Sequence, residues 1–108
     1  MTDTELLDFA AKAAGIEYLV DAGRIVERFE DGHAEWNPLT DDGDALRLAV
    51  KLNMNLTYDT SPDGAFVFAS CSWSDGEESN EVDLDNDPYA ATRRVIVRTA
   101  AQIGRELE

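Results

Sequence analysis

Residues 36–52 read WNPLTDDGDALRLAVKL, and they divide the chain. Asn37 precedes Pro38, which biases it away from helical backbone, so the segment opens as a loop. Thr40 or Asp41 is then the cap of a helix whose first turn collects Asp41, Asp42 and Asp44, where the macrodipole favours negative charge. Ala45, Leu48, Ala49 and Leu52 recur at helical spacing and make its buried stripe, while Arg47 and Lys51 share the outer side. Asn53 tolerates the left-handed conformation that ends such a helix.

Working outward toward the N-terminus, Thr2 and Glu5 have capping-box spacing and Gly15 supplies a stop, which predicts a helix from Asp3 to Ala14. Leu6, Phe9, Ala10 and Ala13 form its apolar stripe, with Glu5, Asp8 and Lys12 opposite. Ile16–Val20 reads as a short strand, Asp21-Ala22-Gly23 as a turn and Arg24–Phe29 as a second strand. Asp31-Gly32 is a two-residue hairpin signal that returns the chain along His33–Trp36.

Beyond the central helix, Leu56–Tyr58 reads as a strand and Ser61-Pro62-Asp63-Gly64 as a turn. Ala65–Trp73 is the strongest strand pattern. Apolar side chains fall on both of its faces, which predicts a central strand covered on both sides. Ser74-Asp75-Gly76 turns the chain into the acidic strand Glu78–Leu84, placed at a sheet edge. Asp87 caps a last helix with Pro88 in its first turn. That helix runs to about Leu107 and buries Tyr89, Ile96, Ala100, Ile103 and Leu107, with Arg94, Arg98 and Arg105 on the opposite face. The expected fold is therefore α+β: a mainly antiparallel sheet covered by three helices, α/β/α-sandwich-like, in the order αβββ–α–βββ–α, as one domain over 1–108.

Composition narrows the function classes. Of 108 residues, 44% are hydrophobic and 30% charged, in the range of a soluble globular chain. The net charge is −14, and residues 52–92 hold nine Asp or Glu but no Lys or Arg. Direct binding to nucleic acid or anionic lipid is disfavoured, because neutralising phosphate takes clustered cations. Cys71 is the single cysteine, so no internal disulfide is expected and a reducing cytoplasm is the simple setting. The start MTDTELLDF does not have the form of a signal peptide, and no apolar run approaches the about 20 residues of a membrane span.

Catalytic and metal motifs fail on their own terms. One His and one Cys, His33 and Cys71, give no dyad by spacing; the expected states are a half-buried strand histidine and a buried, inert cysteine. Asp83, Asp85 and Asp87 alternate like the first ligands of a calcium loop, but the required glycine and glutamate are replaced by Pro88 and Arg94. No glycine-rich phosphate loop is present. The expectation is no enzyme, no cofactor and no metal.

Binding has more material. Trp36 and Trp73 sit at strand ends, where pockets open in layered folds and an indole can stack on a nucleobase. Asn37 lies beside Trp36, and the paired cations Arg47 with Lys51 and Arg94 with Arg98 are suited to phosphate or carboxylate. A second candidate is the acidic stretch Asp75–Asp87, with seven carboxylates in 13 positions.

The central run WNPLTDDGDALRLAVKL, with ELLDFAAKAAGIEY before it and ATRRVIVRTAAQIGREL after it, resembles a family of small, uncharacterised tailed-phage proteins with a phage α/β/α-sandwich domain. The resemblance implies a sheet sandwiched by helices and a phage or prophage origin; it implies no activity. With the reducing setting read from Cys71, the expected place of action is the bacterial host cytoplasm. Residues and resemblance together suggest a non-enzymatic counter-defence factor, a homo-oligomer that sequesters a nucleotide-like immune signal. The alternatives are an acidic inhibitor or DNA mimic that blocks a basic surface of a host defence protein, and a structural or morphogenetic accessory protein.

Overall fold

The computed structural model describes residues 1–73, 76–84 and 87–107. Along the chain run α1 (Asp3–Ala14), β1 (Tyr18–Asp21), β2 (Arg24–Phe29), β3 (Gly32–Trp36), α2 (Asp42–Lys51), β4 (Asn55–Ser61), β5 (Gly64–Trp73), β6 (Gly76–Asp83) and α3 (Pro88–Glu106). This is the expected α+β order. All pairing is antiparallel, and it builds two three-stranded sheets: sheet A, ordered β1-β2-β3, and sheet B, ordered β4-β5-β6.

The helix starts follow their caps. The Glu5 N–H donates to Thr2 Oγ1 at 3.1 Å and the Thr2 N–H donates to Glu5 Oε1 at 3.0 Å, closing the capping box of α1. Of the two candidate caps of α2, Asp41 serves, accepting from the Asp44 N–H at 2.8 Å. Asn53 follows that helix with φ 55°, the left-handed stop expected of it. Asp87 accepts from the Ala90 N–H at 3.0 Å ahead of Pro88.

In sheet A, Ala22 and Gly23 both take positive φ (52° and 78°), the primed turn that matches strand twist. The second hairpin turns one residue earlier than the Asp31-Gly32 signal suggests. Phe29 pairs with Gly32, so Glu30 and Asp31 form the loop. In sheet B the pairing of β5 with β6 closes at Trp73 and Gly76. Of the expected Ser74-Asp75-Gly76 turn, the first two residues lie outside the described residues.

The core sits where α1, α3 and the inner faces of both sheets meet. Ala10, Ala11 and Ala14 of α1 and Ala100 and Ala101 of α3 are buried, and small side chains let the two helices approach closely. At Gly104 the approach is tight: an added Cβ would lie 1.8 Å from the Phe9 carbonyl oxygen. Ile25 and Trp36 are buried from sheet A, and Val67 and Ala69 from the centre of sheet B. Around Thr99 the buried polar groups are paired: Thr99 donates to the Val95 carbonyl at 2.8 Å, and Asn80 on β6 donates to Thr99 Oγ1 (3.3 Å) and Gln102 Oε1 (3.0 Å).

Three burial expectations are corrected. Tyr89 and Leu107 are 72% and 54% exposed, because the helical stripe continues to both ends of α3 while its neighbours cover only the middle. Strand β5 is covered on one face only: Val67, Ala69 and Cys71 are buried, but Phe66 is half-buried and Phe68 is exposed on the side away from α3. His33, expected half-buried, is exposed. Among the described residues, no helix is long and apolar enough to cross a membrane.

Candidate functional site

The loop before α2 is where sequence pointed first, and its groups are already engaged. Trp36 ends β3 as a core residue, 5% exposed, so its indole offers no face to a ligand. Asn37 builds the turn around Pro38. Its Oδ1 accepts from the Leu39 N–H at 3.1 Å, its N–H donates to Asp44 Oδ2 at 3.0 Å, and its carbonyl accepts from the Asp41 N–H at 2.9 Å. Arg47 donates to Asp44 Oδ1 at 2.7 Å and lies 3.8 Å from Asp41. The Asp44 hydrogen bond holds its guanidinium above the usual arginine pKa.

An open hollow of about 590 Å³ adjoins this loop. Asn37 and Arg47 line it, but so do Glu27, Glu35, Asp41 and Asp44. One arginine already paired with carboxylates does not make a phosphate site, since an incoming anion would have to displace Asp44 and face the other acids.

The remaining candidates are dispersed. Lys51 is exposed on the last turn of α2. Trp73 is half-buried at the end of β5, with its indole N–H shielded and unpartnered. Arg94 reaches Asp3 Oδ1 at 3.4 Å, and Arg98 is exposed on α3. Of the seven residues, Asn37 and Arg47 line a common hollow among the described residues. The arginine that sequence reasoning missed is Arg93. It donates to the Leu39 carbonyl at 2.9 Å and to Asp42 Oδ1 at 2.6 Å, pinning the start of α2 to α3. Only its place beside Arg94 on the buried flank of the stripe could have signalled this.

His33 and Cys71 sit on different sheets. The Cys71 thiol donates to the Leu52 carbonyl at 3.0 Å, and burial raises its pKa above the ordinary thiol value. No group of three or more His, Cys, Asp or Glu is placed to hold a metal ion among the described residues.

The acidic candidate is reorganised by the pleat. Strand β6 sends Glu78, Asn80 and Val82 to the inner side with Cys71, Ala69 and Val67. Glu77, Ser79, Glu81 and Asp83 turn outward. Register then assembles the outer face of sheet B. Phe66 lies between Asp59 and Asp83, and Phe68 between Thr57 and Glu81. Asn55, Ser70, Ser72, Ser79 and Glu77 complete it, so two aromatic rings are framed by four carboxylates with no cation from the three strands. Asp75 and Asp85, which belong to the same acidic stretch, lie outside the described residues.

The outer face of sheet A differs. There Leu19 and Val26 lie among Arg24, Arg28, His33 and Glu35, in a shallow hollow of about 510 Å³. Arg24 and Glu35 approach to 3.9 Å, and both are exposed.

No protein-family model, curated protein or solved structure matches this chain.

Proposed function

We propose that this chain is a non-enzymatic binding protein that sets the outer face of sheet B against a basic surface of another protein, of the kind that otherwise engages nucleic-acid phosphate. The observation that carries the reading is the pair Phe66 and Phe68 on the side of β5 that no helix covers, ringed by Asp59, Glu77, Glu81 and Asp83. Exposed carboxylates alone are weak, each ion pair contributing about 0–1 kcal/mol. Aromatic groups at the centre of a patch supply affinity, and the surrounding charge supplies attraction at a distance and the choice of partner. The resemblance to tailed-phage proteins supplies the context, in which the partner is a host defence protein and the carboxylates stand in for phosphates. Capture of a nucleotide-like signal is the weaker reading, since Trp36 is in the core and Arg47 is held by Asp44.

The test has two steps. Protein immobilised from host extract should retain a basic partner, and the affinity of that purified partner should fall steeply as salt rises. Replacing Glu81 and Asp83 together by Lys, or Phe68 by Ser, should each remove the retention. A partner whose affinity is indifferent to salt and to both replacements refutes the proposal.

A further inference from the structure

The two edges of sheet B are built differently. Strand β6 carries Glu77, Glu78, Glu81 and Asp83 in its 8 residues, so a second copy approaching that edge would set carboxylate against carboxylate. Strand β4, NLTYDTS, carries Asp59 as its one charge in 7 residues. A seven-residue edge turns every second N–H and C=O outward, a template for another strand.

Large apolar side chains gather on the helix side of that same edge. Leu46 and Val50 on the outer side of α2 are 62% and 71% exposed, Tyr58 on β4 is 54% exposed, and Tyr89 at the start of α3 is 72% exposed. Leu46, Tyr58 and Tyr89 line one apolar hollow of about 240 Å³ together with Leu56 and Ile96. Leu46 and Val50 line a second beside it, with Met54 and again Leu56. Tyr58 is held in place: the Thr92 hydroxyl donates to the Pro88 carbonyl at 2.8 Å, so the Tyr58 hydroxyl donates to Thr92 Oγ1, also at 2.8 Å.

We infer that the occupant of this edge is a second copy of the chain, with β4 pairing antiparallel to its counterpart across a two-fold axis perpendicular to the sheet. That operation keeps the same face of both sheets on the same side. It joins them into one six-stranded sheet, and on the helix side it brings Leu46, Val50, Tyr58 and Tyr89 of both copies together. The four side chains expose on the order of 500 Å², and the β4 backbone brings the total close to the roughly 800 Å² per partner of a standard interface. The acidic strand β6 ends up at the two far edges, away from the axis. On the outer side, the Phe66–Phe68 faces of both copies become continuous. The inference stands on the β4 edge and does not depend on what the acidic face binds.

Sedimentation of the intact protein from low to high micromolar concentration tests it, alongside Leu46→Glu and Val50→Glu. Both positions already face water, so these variants keep the fold, which circular dichroism confirms. The native chain should sediment at twice its 11.9 kDa mass. Each variant should dissociate at least about 30-fold more readily, the loss expected of an interface anchor. Two like-charged copies associate better when screened, so added salt should tighten the dimer, whereas it should loosen the basic partner proposed above. A native chain that stays monomeric throughout overturns the inference and leaves the edge to a different polypeptide; so does a dimer that survives both glutamates.

Discussion

Between α1 and α3 the chain places its smallest side chains; across the outer face of sheet B it places two phenylalanines. At the helix seam, Gly104 lets the α3 backbone lie against Phe9, and alanines fill the space on either side. On β5, Phe68 points away from the helices and is 36% exposed, while its neighbour Val67 is fully buried. The seam is closed to everything and serves stability. The face leaves its large groups partly in water, where they add little to folding and remain available for a partner.

The sharpest way to break this comparison is Gly104→Ala. A methyl placed 1.8 Å from the Phe9 carbonyl oxygen and 2.6 Å from its carbonyl carbon meets backbone, which cannot rotate away. The better helix propensity of alanine recovers only about 1 kcal/mol. We expect a net loss of about 2–3 kcal/mol and a fall in Tm on the order of 10 °C, read by thermal denaturation. An unchanged Tm would mean that the seam is loose.

Adjacent residues of β5 sharpen it. Val67→Ala, on the buried side, should cost about 2 kcal/mol. Phe68→Thr removes more atoms and leaves a β-branched strand former, so it should cost under about 1 kcal/mol. Denaturant midpoints decide the order. If the phenylalanine proves the costlier of the two, the outer face is part of the folding core and the proposed docking surface loses its rationale.

How much of this was legible follows from what each signal encodes. Caps and turns are local chemistry, so Thr2 with Glu5, Asp87 with Pro88 and Asn53 were readable directly, and with them the element order. Periodicity reports which residues share a face, and the alternation along β5 sets Phe66 and Phe68 apart from Val67 and Ala69. It does not report whether a face is covered. Coverage depends on where α1, α2 and α3 come to rest, which is why the apolar pattern alone puts Tyr89 and Leu107 inside and covers β5 on both faces, and the fold does neither. The candidate site fared worse for a related reason. A cation in sequence is a free charge only until folding supplies its partners, and Arg47 meets Asp44 one turn away while Arg93 crosses to Asp42.

A smaller effect probes the buried polar side chain of α3, Thr99, where that helix meets β6. Thr99 is fully buried and its hydroxyl both donates to Val95 and accepts from Asn80. Thr99→Val keeps the volume and removes both bonds, while Asn80 retains Gln102 at 3.0 Å. We expect a loss of about 1 kcal/mol, measured by chemical denaturation. A loss several times larger would show that Asn80 depends on the threonine for its position.

The smallest effect concerns the exposed start of α1, and it is set by pH. The Thr2 N–H, and after it the Thr2 hydroxyl, lower the pKa of Glu5 below the ordinary glutamate value. A carboxyl whose folded pKa is depressed binds its proton more readily in the unfolded chain. Its contribution is therefore present above the unfolded pKa and is lost as pH falls through the folded one. Thr2→Ala removes the hydroxyl part and leaves the backbone donor. The variant should lose slightly less stability than the native chain on acidification through the glutamate range, whereas at neutral pH it should be the less stable of the two. Thermal scans across that range compare the two slopes, and parallel curves would mean that the Thr2 hydroxyl holds no pH-dependent share of the helix start. Any such change should be far smaller than that of Gly104→Ala, because the box lies in water and the seam does not.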